Sequence, residues 1–141
     1  MSVSFHINNH SVEIGSSSFL HAFFSTISFH LEQSNKPANS WGSKYPELMN
    51  ELYQGKLSAS KATKVLNDVF EIRKKLKKYP PKDIIWDIKD LKKHPPWGNN
   101  ISAHIKDLSN YFVTSDGKDL FEVLIDCLNR LKKSNSDLII E

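Results

Sequence analysis

One cysteine in 141 residues leaves no internal disulfide to form. Cys127 falls in an apolar helical pattern, where a lone thiol behaves as a small buried hydrophobe. No apolar run approaches the roughly 18 residues that cross a bilayer, so no membrane partner is expected. The opening "MSVSFHINNH" has neither a basic n-region nor an apolar h-region, and the expected location is the cytoplasm. Five glycines and six prolines are too few for a low-complexity chain, while 39% hydrophobic and 25% charged residues are ordinary for a globular one. Neither sign of charge dominates: the net charge is +3, and much of the excess lies in "RKKLKK" at 73–78 together with Lys82. The expected organisation is a single domain over residues 1–141, long enough to bury a substantial core.

Catalytic signatures are missing as well. There is no Walker loop, dinucleotide-binding glycine fingerprint, HExxH, CxxC or GxSxG elbow. His94 and His104 flank Trp97 and are the best acid–base pair on offer, the basis for a small-hydrolase reading, but no spaced third ligand accompanies them. His21 and His30 stand on different faces of one helical pattern, as solvated or core-edge histidines do. No catalytic residue, cofactor or metal is expected.

What is present reads as a small α+β domain. Val3, Phe5 and Ile7 alternate with polar residues, "NNH" interrupts, and Val12 and Ile14 resume, which predicts a hairpin. Phe19, Leu20, Phe23, Phe24, Ile27 and Leu31 then recur at helical spacing behind serines that can cap the first turn, marking a central buried helix. The turn-forming "SNKPANSWGSKYP" follows, with Trp41 expected to anchor the loop on the core. Pro46 opens a short helix that Gly55 ends, and a longer helix spans about Ser60 to Lys78, stopped by Pro80 and Pro81.

The β-prone "DIIWDI" predicts a strand over Ile84 to Ile88. Ile101, Ile105, Leu108 and Phe112 keep helical spacing, although a short strand at Tyr111 to Val113 competes. A last helix is expected from near Gly117, with Asp116 and Asp119 as a capping pair, followed by a terminal strand in "DLIIE". The expected architecture is a small mixed β-sheet with an N-terminal hairpin and about four helices packed on it.

Two surfaces invite a partner. The lysine-rich end of the long helix (Arg73, Lys74, Lys75, Lys77, Lys78, Lys82) suggests a nucleic-acid-binding regulator, since phosphate neutralisation needs clustered cations. It is also simply the wet face of an amphipathic helix with cations at its C-terminal end, and no RNA-reading aromatics surround it, so nucleic acid is the weaker reading. The second surface is acidic and aromatic: Asp87, Asp90, Asp107, Asp116 and Asp119 share the C-terminal half with Trp86, Trp97 and Tyr111. Aromatics anchor protein interfaces and charges steer them, although surface carboxylates also occur without a task.

Taken in order, "GSSSFLHAFFSTI", "WGSKYPELMNELYQGKL", "IIWDIKDL", "PPWGNNIS" and "NYFVTSDGKDLFEVL" resemble the immunity proteins of bacterial polymorphic toxin systems, in the family numbered seventy. The matching positions are Trp41 to Ser43, Tyr45 with Pro46, Glu51 to Gly55, Trp86 to Ile88, Pro95 to Gly98 and Tyr111 to Gly117, spread over nearly the whole chain. The resemblance implies a non-enzymatic antitoxin that binds and blocks a cognate toxin C-terminal domain, a nuclease in many such systems. It supplies no site residues. The candidate anchors Trp41, Tyr45, Asp87, Asp90, Trp97, Tyr111 and Asp116 come from residue type and position in or beside predicted loops. The net positive charge argues against simple mimicry of nucleic acid.

Overall fold

The computed structural model describes residues 2–32, 41–98 and 100–141. Strands β1 (Ser2–Ile7) and β2 (His10–Ser16) form the N-terminal hairpin, with Asn8 in the left-handed region at its turn. Strands β3 (Lys56–Ser58) and β4 (Asp137–Ile140) complete a sheet of order β2-β1-β4-β3. All its pairings are antiparallel, where a mixed sheet was expected. The α+β class and the hairpin stand as read.

Helix α1 (Ser17–Ile27) starts where the Ser16 hydroxyl accepts from the Phe19 amide, and it runs on as a π-helical turn over Ser28–Glu32. A second π-helical segment, Glu47–Leu52, follows Pro46, and Gly55 reverses the chain into β3. Helix α2 (Ala62–Leu76) ends short of the predicted Lys78, and Lys78 and Tyr79 close single turns before the prolines. Helix α3 (Leu120–Lys132) starts later than expected, because Thr114 and Lys118 first close a tight turn with Gly117 at φ 79°. Its cap is Asp119, which accepts from the Phe121 amide, rather than the predicted Asp116.

Alternation turns Phe5, Ile7, Ile14, Leu57 and Leu138 to one side of the sheet, where α1 and α3 cover them and α2 packs on α3. Phe23 is the hub of this core: its ring meets those of Phe24, Phe112 and Phe121 at 5.1–5.4 Å between centroids. Cys127 is fully buried among these residues and burial pushes its thiol up to about 11, so it is the inert core residue that its pattern predicted.

Two elements differ from expectation. Residues 84–88 form no strand: the backbone of Ile85 is bonded in both directions by the Thr26 hydroxyl, and the Ile88 amide donates to Ser25 Oγ. Buried side chains of α1 take the place of a strand neighbour, so the Ile85 and Ile88 amides are satisfied without a ladder. Leu108 and Phe112 are buried and Ile101 and Ile105 partly so, as their spacing suggested, but the segment is a series of turns. Asp107, Ser102 and Asn110 side chains bond nearby backbone amides there, which competes with helix formation. The alternative strand survives only as an isolated bridge between Val113 and Asp119.

Residues 33–40, which include the first part of the predicted connector (34–40), lie outside the described residues. The connector's visible end is built around one buried carboxylate. Glu32 accepts backbone amides from Gly42, Lys44 and Tyr45 at 3.0–3.1 Å, which bends "WGSKY" into the next helix. Gly42 sits at φ 77° with the Asn50 side chain in the space that a Cβ would occupy. Only glycine fits that bend without moving a neighbour.

Candidate functional site

Between the 3-10 turn at Pro81–Asp83 and α3, the described residues contain no regular element beyond the single bridge. Irregular segments this long in a compact chain are usually functional, provided something holds them. Here the Leu108 amide donates to the Tyr79 carbonyl at 3.0 Å and closes the base of the excursion. His30 Nε2 donates to the Asp83 carbonyl at 2.7 Å, beside the Ser25 and Thr26 contacts. One face of α1 thus grips the incoming half of the loop.

Aromatic rings hold the other half. Phe112 packs on Phe23 in the core, Tyr111 packs edge-on against Phe112 at 5.2 Å, and the Tyr111 hydroxyl accepts from Trp97 Nε1 at 2.9 Å. Trp97 in turn stands perpendicular to Trp86 at 5.3 Å. This relay runs from the core to the surface, where Trp97 is 37% and Leu91 56% exposed. Trp86, Leu91 and Pro95 border an open groove of about 930 Å³.

Next to the groove lies a polar knot. His21 Nε2 donates to Asp87 Oδ1 at 3.1 Å, while its Nδ1 faces the Tyr53 hydroxyl at 2.6 Å. A carboxylate cannot donate, so the Nε2–H tautomer with Tyr53 donating to Nδ1 satisfies every partner. Trp41 stacks over the His21 ring, and Lys93 approaches Asp87 Oδ2 at 3.6 Å. Burial raises the Tyr53 hydroxyl's pKa, and the Asp87 charge adds to the effect.

Burial also opposes ionisation of Asp87, but the Lys89 amide, His21 and Lys93 outweigh it and hold the carboxyl below its ordinary value. A depressed value stabilises the fold above the unfolded carboxyl's pKa of about 3.9, and this is lost as pH falls through the folded value. Urea unfolding of the protein and its Asp87→Asn variant should therefore differ in stability at pH 6 and converge in acid below about pH 4. A gap that does not change with pH would contradict this.

A family model described as Immunity protein 70 matches residues 5–140, nearly the whole chain. The chain belongs to the Immunity protein 70 family. No curated protein and no solved structure matches it. Membership makes the chain an immunity protein of a toxin system, with a toxin as protein partner; the family is generally non-enzymatic.

The family strings now have physical counterparts. "WGSKYP" is the bend held by Glu32, "WDI" carries the Asp87 knot, "PPWG" presents Trp97, and "YFVTSDG" combines the Tyr111 anchor with the turn before α3. Of the predicted anchors in this Immunity protein 70 chain, Trp97, Asp90 and Asp116 are exposed. Asp90 accepts from the Lys92 amide within the loop. Asp116 tips the Thr114–Lys118 turn, which is docked on β2 through Ser115. Asp87 and Trp41 are half-buried in the knot, and Trp41 also donates to the Met49 carbonyl at 3.0 Å.

Tyr45 and Tyr111 are buried, at 1% and 5% exposure; Tyr111 supports the face from within, while Tyr45 is turned toward α2. Tyr45 donates to Glu71 at 2.8 Å, and burial followed by that carboxylate raises its pKa. Sequence reasoning read His21 only as a solvated or core-edge histidine and passed over Tyr53 and Glu32: none stands beside its partners in the chain.

The other candidates stay apart. His94 borders the groove and His104 lies in an exposed turn, and neither ring has a hydrogen-bonded partner among the described residues. No cluster of three or more metal-binding side chains occurs among the described residues, and no helix there is long and apolar enough to cross a membrane. In the basic stretch, Arg73 is spent on Asp119 and Glu122 of α3, at 3.5 and 2.7 Å, and Lys75 pairs with Glu71. That leaves the exposed Lys74, Lys77, Lys78 and Lys82 as a weaker cationic face than the sequence suggested.

Proposed function

We propose that the chain is a stoichiometric inhibitor of the C-terminal domain of its cognate toxin, acting in the cytoplasm of the producing bacterium as a single non-catalytic domain. The observation that carries this reading is the match over residues 5–140 to an immunity family. The loop face supports it: exposed Trp97 and Leu91 on a segment pinned to the core form a pre-ordered apolar patch, which lowers the entropy lost on binding. Protection requires almost no free toxin, hence nanomolar or tighter affinity and an interface of about 1,600 Å².

A nuclease is the toxin class we favour, on the general association of such antidotes with nucleases. Trp97, Asp90, Asp87 and Trp41 are the anchors that share or adjoin this face; Tyr111 stiffens it, Tyr45 stands apart against α2, and Asp116 offers a separate contact on the turn before α3.

The test is co-expression with the toxin domain encoded next to the chain's gene. Cells should survive only with both genes, a one-to-one complex should purify, and the purified toxin should degrade nucleic acid until the chain is added. Survival without the chain, or no complex, refutes the inhibitor reading. A toxin with another activity refutes only the nuclease assignment.

A further inference from the structure

The groove beside Trp86 has a charge pattern that the acidic residues around it conceal. Ile84, Ile85, Trp86 and Pro95 make its walls apolar. Its charged lining consists of Lys82 and Lys93, with the His94 ring beside them and no carboxylate among the described lining residues. The neighbouring Asp87 offers little to offset Lys82, because His21, the Lys89 amide and Lys93 already engage it. Lys82 itself has no salt-bridge partner among the described residues and is exposed at the mouth. Leu91 stands at the lip, 56% exposed.

We propose that this groove seats an acidic segment of the toxin, inserting one large apolar side chain between Trp86 and Leu91 while flanking Asp or Glu residues meet Lys82, Lys93 and His94. The proposal rests on the inhibitor reading above and adds the chemistry of the partner. A volume of about 930 Å³ accommodates several side chains, within the range of sites that enclose specific ligands. Apolar walls supply affinity, and the uncompensated Lys82, with Lys93 beside it, supplies steering and register. A basic toxin surface would bring its own lysines against Lys82 and Lys93, and like charges in a desolvated groove exclude partners. The acidic and aromatic composition of this half of the chain suggests a basic partner, but its carboxylates are engaged locally or lie outside the groove lining.

Titration calorimetry with the purified toxin domain tests the proposal on Lys82→Glu, Leu91→Asp and the double variant. Both positions are exposed, so circular dichroism and melting temperature should be unchanged. Each single change is expected to weaken binding roughly tenfold and the pair roughly 100-fold, with the wild-type affinity falling as salt rises and the Lys82→Glu affinity falling less. Unchanged affinity in the double variant, with the wild type still binding one to one, overturns the groove and leaves the inhibitor reading intact. Tighter binding by Lys82→Glu overturns the acidic chemistry. A concentration-dependent dimer that the double variant abolishes assigns the groove to a second copy and overturns the proposal. A wild type that does not bind the toxin removes the inhibitor reading itself.

Discussion

Glu32→Ala should lower the unfolding free energy by about 3–5 kcal/mol, among the largest single-residue effects expected of this chain. The carboxylate is 6% exposed and accepts the amides of Gly42, Lys44 and Tyr45. Gly42 and Tyr45 are themselves buried, so truncation strands their donors where water cannot easily replace the acceptor. An unsatisfied buried donor costs about 1–3 kcal/mol, and bonds to a charged acceptor stand at the strong end. Glu32→Gln keeps the shape but turns an amide nitrogen toward one of those donors, so about half the loss is expected to remain. Urea titrations followed by tryptophan fluorescence would report both the midpoint and the local release of Trp41. A loss under about 1 kcal/mol for the alanine variant would mean that the bend is held by something else.

This bend illustrates why parts of the molecule could be read from the chain and parts could not. The hairpin, α1, α2, α3 and β4 each carry a local signal, alternation or helical spacing, because each buries one face against the same core. Strand β3 is three residues long and holds a single inward side chain, Leu57, too little for any period to register. "DIIWDI" has strand composition, but its backbone partners are Ser25 and Thr26 on α1, and no local pattern reports a partner nearly half the chain away. His21 follows the same rule, and Glu32, whose amides lie 10–13 residues on, is likewise an ordinary residue made special by groups beyond any local period. The ordered motif strings escaped this limit: each quotes a segment whose shape depends on remote partners, so the set records tertiary structure that no single segment reveals.

Trp97→Ala should weaken toxin binding by about 30-fold or more, equivalent to 2 kcal/mol, while lowering fold stability by only about 1 kcal/mol. The small stability effect follows from its position: 37% exposed, it contributes one edge-on contact with Trp86 and one bond to Tyr111, and solvent reaches the site after truncation. The large binding effect follows from pre-organisation. Tyr111 is anchored on Phe112 and orients Trp97, and Trp97 supports Trp86 at the groove, so one truncation removes an anchor and loosens the wall beside it. Trp97→Phe retains a ring against Trp86 and loses only the donor to Tyr111, so most of the affinity should return. Phe70 supplies the control. It is 50% exposed on α2, beside the basic stretch and outside the loop face, and Phe70→Ala should leave the affinity for the toxin unchanged. Calorimetry on the three variants decides between the faces: a loss confined to Phe70→Ala would move the interface to α2 and revive the cationic helix as the contact surface.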